Sequence, residues 1–395
     1  MAVYSNRRIF YATQAVGFAP ISATGNYISV HGAQSVGINT NFTLENVSEI
    51  GQLSIYQIVE QIPDIEVTVE KFLDGYPLLY HLSTPISANN TLVAKNIQRS
   101  MMATSIYADN QSSASGTPLA EVVCSGLYFQ SATYNFGTDQ SLRESVTLVG
   151  NNIFWYNPSN TGVGGNQLSA LTSAVYTPNF LNTDSPLALA GSGGVQIRRD
   201  IIFNPILGAS DPNYAKEFSG TLDVNKQSLA FFTNLPPDIE GISSSGTNDQ
   251  TLSQGQFNAH INNITISCNA QRPLILELGR KEPYYRFMNF PVPVTAAITT
   301  VSRLGNQVSA TELGSDGLGN NLSNRSIRVR VREGTWIDLG HKNKLQSCTY
   351  AGGDTTGGQV NCTYSYITYN DFLVSHPQDP SNANAGLGGG CVWPY

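Results

Sequence analysis

Four carboxylates lie close together between positions 62 and 75: Asp64, Glu66, Glu70 and Asp74. Paired acids can hydrolyse glycosides when their carboxyl groups stand about 5 to 9.5 Å apart. Here Ile65, Val67 and Val69 alternate with Glu66, Thr68 and Glu70, a period of two that marks a strand with one buried and one wet face. Glu66 and Glu70 then share a face about 13 Å apart, too far for either hydrolytic geometry. A row of acids on a wet sheet face reads more simply as a solvated or phosphate-repelling wall.

No other constellation supports a reaction. HExxH, GxxxxGK[ST] and GxSxG patterns are absent, and the five histidines (His31, His81, His260, His341, His376) stand singly, without metal-ligand spacing. Leu313 to Asn320 is glycine-rich but runs on into Asn and Ser rather than a helix, so a hairpin loop is expected there instead of a phosphate cradle. The five cysteines (Cys124, Cys268, Cys348, Cys362, Cys391) are odd in number and lack CxxC spacing, which argues for reduced thiols. Cys348 and Cys362 are the one pair placed to meet across a hairpin. Neither an enzyme activity nor a cofactor is expected.

Arginines cluster at Arg7-Arg8, Arg198-Arg199 and Arg325 to Arg332. In the last run Arg328, Arg330 and Arg332 alternate with Val329 and Val331, so they line one strand face. Without aromatic neighbours or a basic surround they suit ion pairing with a neighbouring subunit better than nucleic acid. The net charge of −7 likewise excludes a protein that grips nucleic acid by neutralising phosphates. It does not exclude one that lets nucleic acid pass.

Only 12% of the 395 residues are charged, about half the usual share, while 41% are hydrophobic. That composition folds, and with little repulsion between copies it suits a surface covered by neighbours. A neutral, lectin-like β-protein has the same profile. No window has the apolar length of a membrane span, and the first residues lack the apolar core of a signal peptide, so cytoplasmic assembly is expected.

The elements that must position these residues are mostly short strands between Gly, Asn and Pro turns, an all-β pattern with few short helices. Asp74-Gly75 is expected to turn the strand into a hairpin with Tyr76 to Tyr80. Ala94 to Met102 is expected to form two or three helical turns. Leu44 to Glu60 fits neither period, which suggests a loop ordered by a partner.

The two halves echo one another. Arg7 to Phe10 is answered by Arg198 to Phe203, Ile38 to Thr43 by Ile261 to Ile266, Gln130-Ser-Ala-Thr-Tyr134 by Gln346-Ser-Cys-Thr-Tyr350, and Glu144 to Val149 by Gln359 to Tyr364. This predicts two tandem domains, residues 1–190 and 191–395. The second would carry a surface excursion near 207–256 and a flexible, aromatic-ended tail from about 380. A flexible linker is expected at 183–194.

The order of these landmarks, with Ile62-Pro-Asp-Ile-Glu-Val-Thr-Val-Glu-Lys71, the closing Leu-Asp-Gly75, and the late QSxTY and Glu144-Ser-Val-Thr-Leu-Val-Gly150 strands, resembles tail tube proteins of tailed bacteriophages. The resemblance covers most of residues 30–155, and residues 195–375 through the internal echo. It implies β-sandwich, half-barrel units flanked by a helix, whose strands join around a ring into an inner barrel for DNA. It implies a stacking loop at Glu45 to Gln61, with Glu45, Val47, Ile50, Leu53, Ile55 and Ile58 meeting the next ring. Glu66, Thr68 and Glu70, with Thr295 and Thr299 as second-half counterparts, would face the bore and the passing duplex DNA.

The implied location is the virion tail, built in the host cytoplasm without a membrane anchor. Implied partners are further copies in trimeric or hexameric rings, together with tape-measure, baseplate, tail-terminator and possible sheath proteins. Two other readings stay open. One is a baseplate, tail-ring or capsid decoration protein; the other is a carbohydrate-binding β-protein using Trp155, Trp336 or Trp393.

Overall fold

Alternation of apolar and hydroxyl or amide side chains builds most of the described residues into strands. The computed structural model describes residues 11–20, 26–61, 63–85, 91–108, 120–156, 179–181, 194–198, 201–202, 261–279, 283–301, 327–331, 333–340, 342–352 and 360–376. In chain order these form β1 Tyr11–Pro20, β2 Asn26–Ser29, β3 Ala33–Asn41, β4 Leu44–Ser48, β5 Ile55–Glu60, β6 Asp64–Phe72, α1 Leu79–Ser83, α2 Leu92–Lys95, β7 Arg99–Ala108, β8 Ala120–Gly137, β9 Arg143–Gly150, β10 Asn152–Tyr156, β11 Asn179–Leu181 and β12 Ile201–Ile202. They continue with β13 Ile261–Asn269, β14 Leu274–Ile275, β15 Tyr285–Arg286, β16 Pro293–Val301, β17 Arg328–Val331, β18 Trp336–Asp338, β19 Lys344–Ala351, β20 Asn361–Tyr369 and β21 Leu373–Ser375. The protein is all-β, with two very short helices among the described residues.

One antiparallel run of strands crosses the molecule in the order β3-β6-β9-β8-β13-β16-β20-β19. The first four follow a topology that the last four repeat: first strand, second strand, fourth strand, third strand. A second layer does the same, with β1-β7-β8-β10 matched by β12-β17-β18-β21. β8 serves both layers. Its first part pairs with β7 and β10, and its last part pairs with β9 and β13.

Irregularities recur at matching places. The register of β3 on β6 shifts at Gln34 and that of β13 on β16 at Asn262; β8 on β9 shifts at Gln130 and β19 on β20 at Gln346. A bulge inserts one residue and bends its strand, so its position fixes how the sheets superpose. Counted from these bulges, Glu70 corresponds to Thr299 and Glu66 to Thr295. Lys71 opposite Glu144 opposite Tyr134 becomes Thr300 opposite Cys362 opposite Tyr350. Gln130 to Tyr134 and Gln346 to Tyr350 therefore occupy equivalent positions. Two of the other echoes shift: Ile38 matches Ile266 rather than Ile261, and Glu144 matches Cys362 rather than Gln359.

Beside a small cluster of Ala19, Tyr27, Met101, Ala103 and Val123, one large core cluster draws residues from both layers. Val16 and Phe18 of β1, Val122 and Cys124 of β8, Ile65, Val67 and Val69 of β6, Val294 and Ile298 of β16, and Val329 and Val331 of β17 all belong to it. Tyr80 of α1 meets Phe129 edge-on at 5.1 Å and Phe372, from the distant end of the chain, at 5.4 Å.

Three local expectations are corrected. Gly75 does turn the chain at φ +85, but Leu79 to Ser83 beyond it is the helix α1, buried along its whole length, so β6 pairs with β3 and β9 instead of a following strand. Every backbone group of that helix must be satisfied internally, and Glu144 does so by accepting from Leu79 N at 2.7 Å and Tyr80 N at 3.0 Å. Helix α2 ends at Lys95, and residues from Arg99 onward are strand β7. Cys348 lies opposite Tyr364 and Cys362 opposite Tyr350, so the two cysteines do not face each other. The expected linker, apart from Gly194, the excursion at 207–256 and the tail lie outside the described residues.

Candidate functional surface

The wet face of the eight-strand run is lined by small polar side chains in register. One row crosses six strands through Ser35, Glu70, Ser145, Thr133, Ser267 and Thr295. Others run Thr68, Thr147, Ser131 and Asn269, or Asn263, Thr299, Thr363 and Thr349. The hydroxyls knit the rows together: Thr68 and Thr147 at 3.4 Å, Ser267 and Thr295 at 2.7 Å, Thr299 and Thr363 at 3.0 Å. Such cross-strand Ser/Thr pairs stabilise a sheet while leaving one lone pair or proton for water.

All five residues expected to face a bore, Glu66, Thr68, Glu70, Thr295 and Thr299, project to this one face. Their electrostatics differ from an acidic wall. Arg143 donates to Glu70 at 2.7 Å and lies over the Phe72 ring, so one of the two acids is compensated. Glu66 is exposed. The surface is a hydroxyl and amide carpet of nearly balanced charge. Its lining hydroxyls outside β6 and β16 were readable as alternation, in Ser131-Ala-Thr-Tyr-Asn135, Ser145-Val-Thr147, Asn263-Ile-Thr-Ile-Ser267 and Thr363-Tyr-Ser365, once each segment was set in the same sheet.

Glu45, Val47, Ile50, Leu53, Ile55 and Ile58 lie on an antiparallel hairpin, β4 with β5, that pairs with no other described strand. Ile50 and Leu53 at its tip are fully exposed, and Phe42, Leu44 and Tyr56 add further apolar surface. The equivalent interval of the second half holds the shorter hairpin β14–β15, with Leu276 and Leu278 exposed. Its base is fastened to the first half. Arg286 is bonded to Asp64 and donates to Asn151 Oδ1 at 3.0 Å, while Arg272 donates to Phe129 O at 2.7 Å and Asn96 O at 2.8 Å.

Arg328 and Arg330 alternate with the buried Val329 and Val331 on β17, between β12 and β18; Arg332 lies outside the described residues.

The buried ionisable groups serve structure. Lys71 donates to Asp74 Oδ1 at 3.1 Å and to Pro77 O at 3.0 Å. His31 stacks on Tyr76, and His376 lies 3.0 Å from Glu333 Oε2 with both side chains fully buried. His260 and His341 lie outside the described residues. Burial pushes the thiols of Cys124 and Cys268 up to about 12, which keeps them protonated and unreactive. Among the described residues no group of His, Cys, Asp or Glu is placed to hold a metal ion, and no helix is long and apolar enough to cross a membrane. Trp336 is buried, Trp155 is exposed on β10, and Trp393 is outside the described residues.

No family model and no curated protein matches this chain. Among solved structures, a chain in the virion of a native gene transfer agent particle aligns at 14% identity over 30% of this chain and 88% of its own, with a TM-score of 0.23. A chain of the anti-feeding prophage tube-terminating cap aligns at 13% identity over 40% of this chain and 99% of its own, TM-score 0.28. One from the anti-feeding prophage baseplate aligns at 9% identity over the same shares, TM-score 0.28. These are likenesses of the chain, and they do not decide its role.

Proposed function

We propose that this chain is a structural, non-enzymatic virion protein of the tail-tube kind. In this reading its eight-strand run is a segment of a cylinder wall, and the hydroxyl face lines a passage for duplex DNA. The observation that carries the reading is the repeated four-strand order. A sheet that reads the same unit twice, with unlike strands left at its two ends, can be extended by further copies in one direction. Each half is then one wall unit, and three chains would present six.

The lining suits passage rather than capture. Phosphates are held by Lys and Arg with release of counterions. On this face Arg143 is already engaged by Glu70, three pairs of Ser and Thr hydroxyls bond one another, and the exposed Lys344 stands at the β19 edge in register with Thr295. The apolar β4–β5 hairpin supports stacking of one ring upon the next, since an exposed surface of that kind marks an interaction site. Arg328, Arg330 and Arg332 remain proposed partners for acids on a neighbouring subunit.

Negative-stain microscopy of the purified full-length chain tests this. Hollow rods of stacked rings are expected. A single closed ring that never stacks would favour a cap or baseplate role, and a monomer at all concentrations would overturn both.

A further inference from the structure

The junction between the two halves is a template for the contact between two copies. Within the chain, β8 ends the first unit and β13 begins the second. They pair antiparallel, with Tyr134 opposite Ile266, Thr133 opposite Ser267 and Ala132 opposite Cys268. Among the described residues, the equivalent strands at the two ends of the run have one partner each: β19 pairs with β20, and β3 pairs with β6. β19 matches β8, with Gln346 in the place of Gln130, and β3 matches β13, with Gln34 in the place of Asn262.

The side chains at these two edges carry the mark of a missing neighbour. Tyr134 and Ile266 are both fully buried where they meet. Their equivalents are Tyr350, 52% exposed, and Ile38, half-buried at the margin of the core. Edge strands with open amides are templates for pairing, and an edge that also exposes a large aromatic on its core-facing side is unfinished.

We propose that β19 of one copy pairs antiparallel with β3 of the next in the register of the internal junction. Tyr350 then stands opposite Ile38 of the next copy, Thr349 opposite its Asn39, Cys348 opposite its Thr40 and Ser347 opposite its Asn41. The contact joins unlike surfaces, so it propagates head to tail and closes into a ring or winds into a helix according to the angle per copy. It rests on the shared-cylinder reading and adds to it the two strands, the register and the residues of the seam between copies. Tyr350 and Ile38 complete the core across that seam, while Asn39 and Thr349 continue the polar carpet.

The test places thiols at the predicted seam. Asn39→Cys with Thr349→Cys, treated with diamide, should give a ladder of disulfide-linked multimers on a non-reducing gel, and each single variant should stay uncross-linked. Asn41→Cys with Thr349→Cys is displaced by two residues, beyond easy disulfide reach, and should cross-link at least ~10-fold more slowly. Tyr350→Asp should abolish assembly while leaving a folded monomer by circular dichroism, because the position is exposed in the isolated chain.

The possible results separate the two ideas. Rods that form but cross-link only through the displaced pair, or not at all, overturn the register and leave the cylinder reading standing. Cross-linked rings that never stack support the register and count against the conduit. A chain that stays monomeric and uncross-linked overturns both.

Discussion

The two halves of the molecule share a frame but fill it differently. At one set of equivalent positions the first half has Tyr134, Glu144 and Lys71, and the second has Tyr350, Cys362 and Thr300. In the first half the trio is polar, buried and bonded. Glu144 accepts from Tyr134 Oη at 2.7 Å and from the first two amides of α1, while Lys71 closes the turn that leads into that helix. In the second half the same sites hold a thiol and a hydroxyl. Strand order and bulges therefore survive a complete change of what lies beneath them. The frame depends on alternation, and the interior polar groups serve whatever each half must fasten locally.

The sharpest way to break the comparison is at Glu144 and Cys362. Glu144→Ala strands two helix amides and a tyrosine hydroxyl in the core and should cost about 3–5 kcal/mol of unfolding free energy. Cys362→Ala removes one small apolar group and should cost about 1–2 kcal/mol. Denaturant unfolding of the two variants checks the ratio, and equal costs would mean that the halves are not built differently.

A smaller contrast is expected at Lys71 and Thr300. Lys71→Met leaves Asp74 and two carbonyls without their donor and should destabilise by about 2–4 kcal/mol. Thr300 is fully buried and its hydroxyl has no partner among the described residues, so the isosteric Thr300→Val should be neutral or stabilising by up to about 1 kcal/mol. Thermal melts of the pair distinguish the two signs.

The gentlest probe is pH, where the buried carboxyls should respond in opposite senses. Burial raises Glu144 above 4.5, outweighing the charge of Lys71 and the hydrogen bonds from Tyr134, Tyr80 and Leu79. Its folded form favours the proton, so its contribution is full below 4.5 and is lost as pH rises through the folded value. Burial also acts to raise Glu333, but the His376 charge, the His376 and Thr335 hydrogen bonds and the Lys71 charge outweigh it, and the net shift is downward from 4.5. Its contribution is full above 4.5 and is lost as pH falls through the lowered value. Comparing Glu144→Gln and Glu333→Gln with the parent chain across acidic pH should show stability differences of opposite slope.

How much of this could be read from the sequence depended on whether one face of a segment stayed wet. Ile65, Val67 and Val69 announced β6 because Glu66 and Thr68 interrupt them. QSxTY was legible twice because both copies place a bulge at Gln and a tyrosine toward the core. Helix α1 was missed because its residues are buried on every side and leave no polar stripe to reveal a 3.6 period. Arg99 to Met102 read as helix because, beyond the exposed Arg99, consecutive residues Ser100, Met101 and Met102 are all buried, which erases alternation. The residues of β6 and β16 that share the hydroxyl face were singled out from resemblance and echo. The hydroxyl rows joining them needed the register of six further strands, and the exposure of Tyr350 needed the knowledge that β19 ends the sheet.

The length of β8 has a mechanical consequence. Its 18 residues belong to the second layer at one end and to the hydroxyl-faced layer at the other, in one unbroken covalent run. A tug along the hydroxyl-faced layer is therefore delivered to the second layer through peptide bonds rather than through side-chain contacts, which slide far more easily. A pair of layers joined in this way resists shear as a braced panel does.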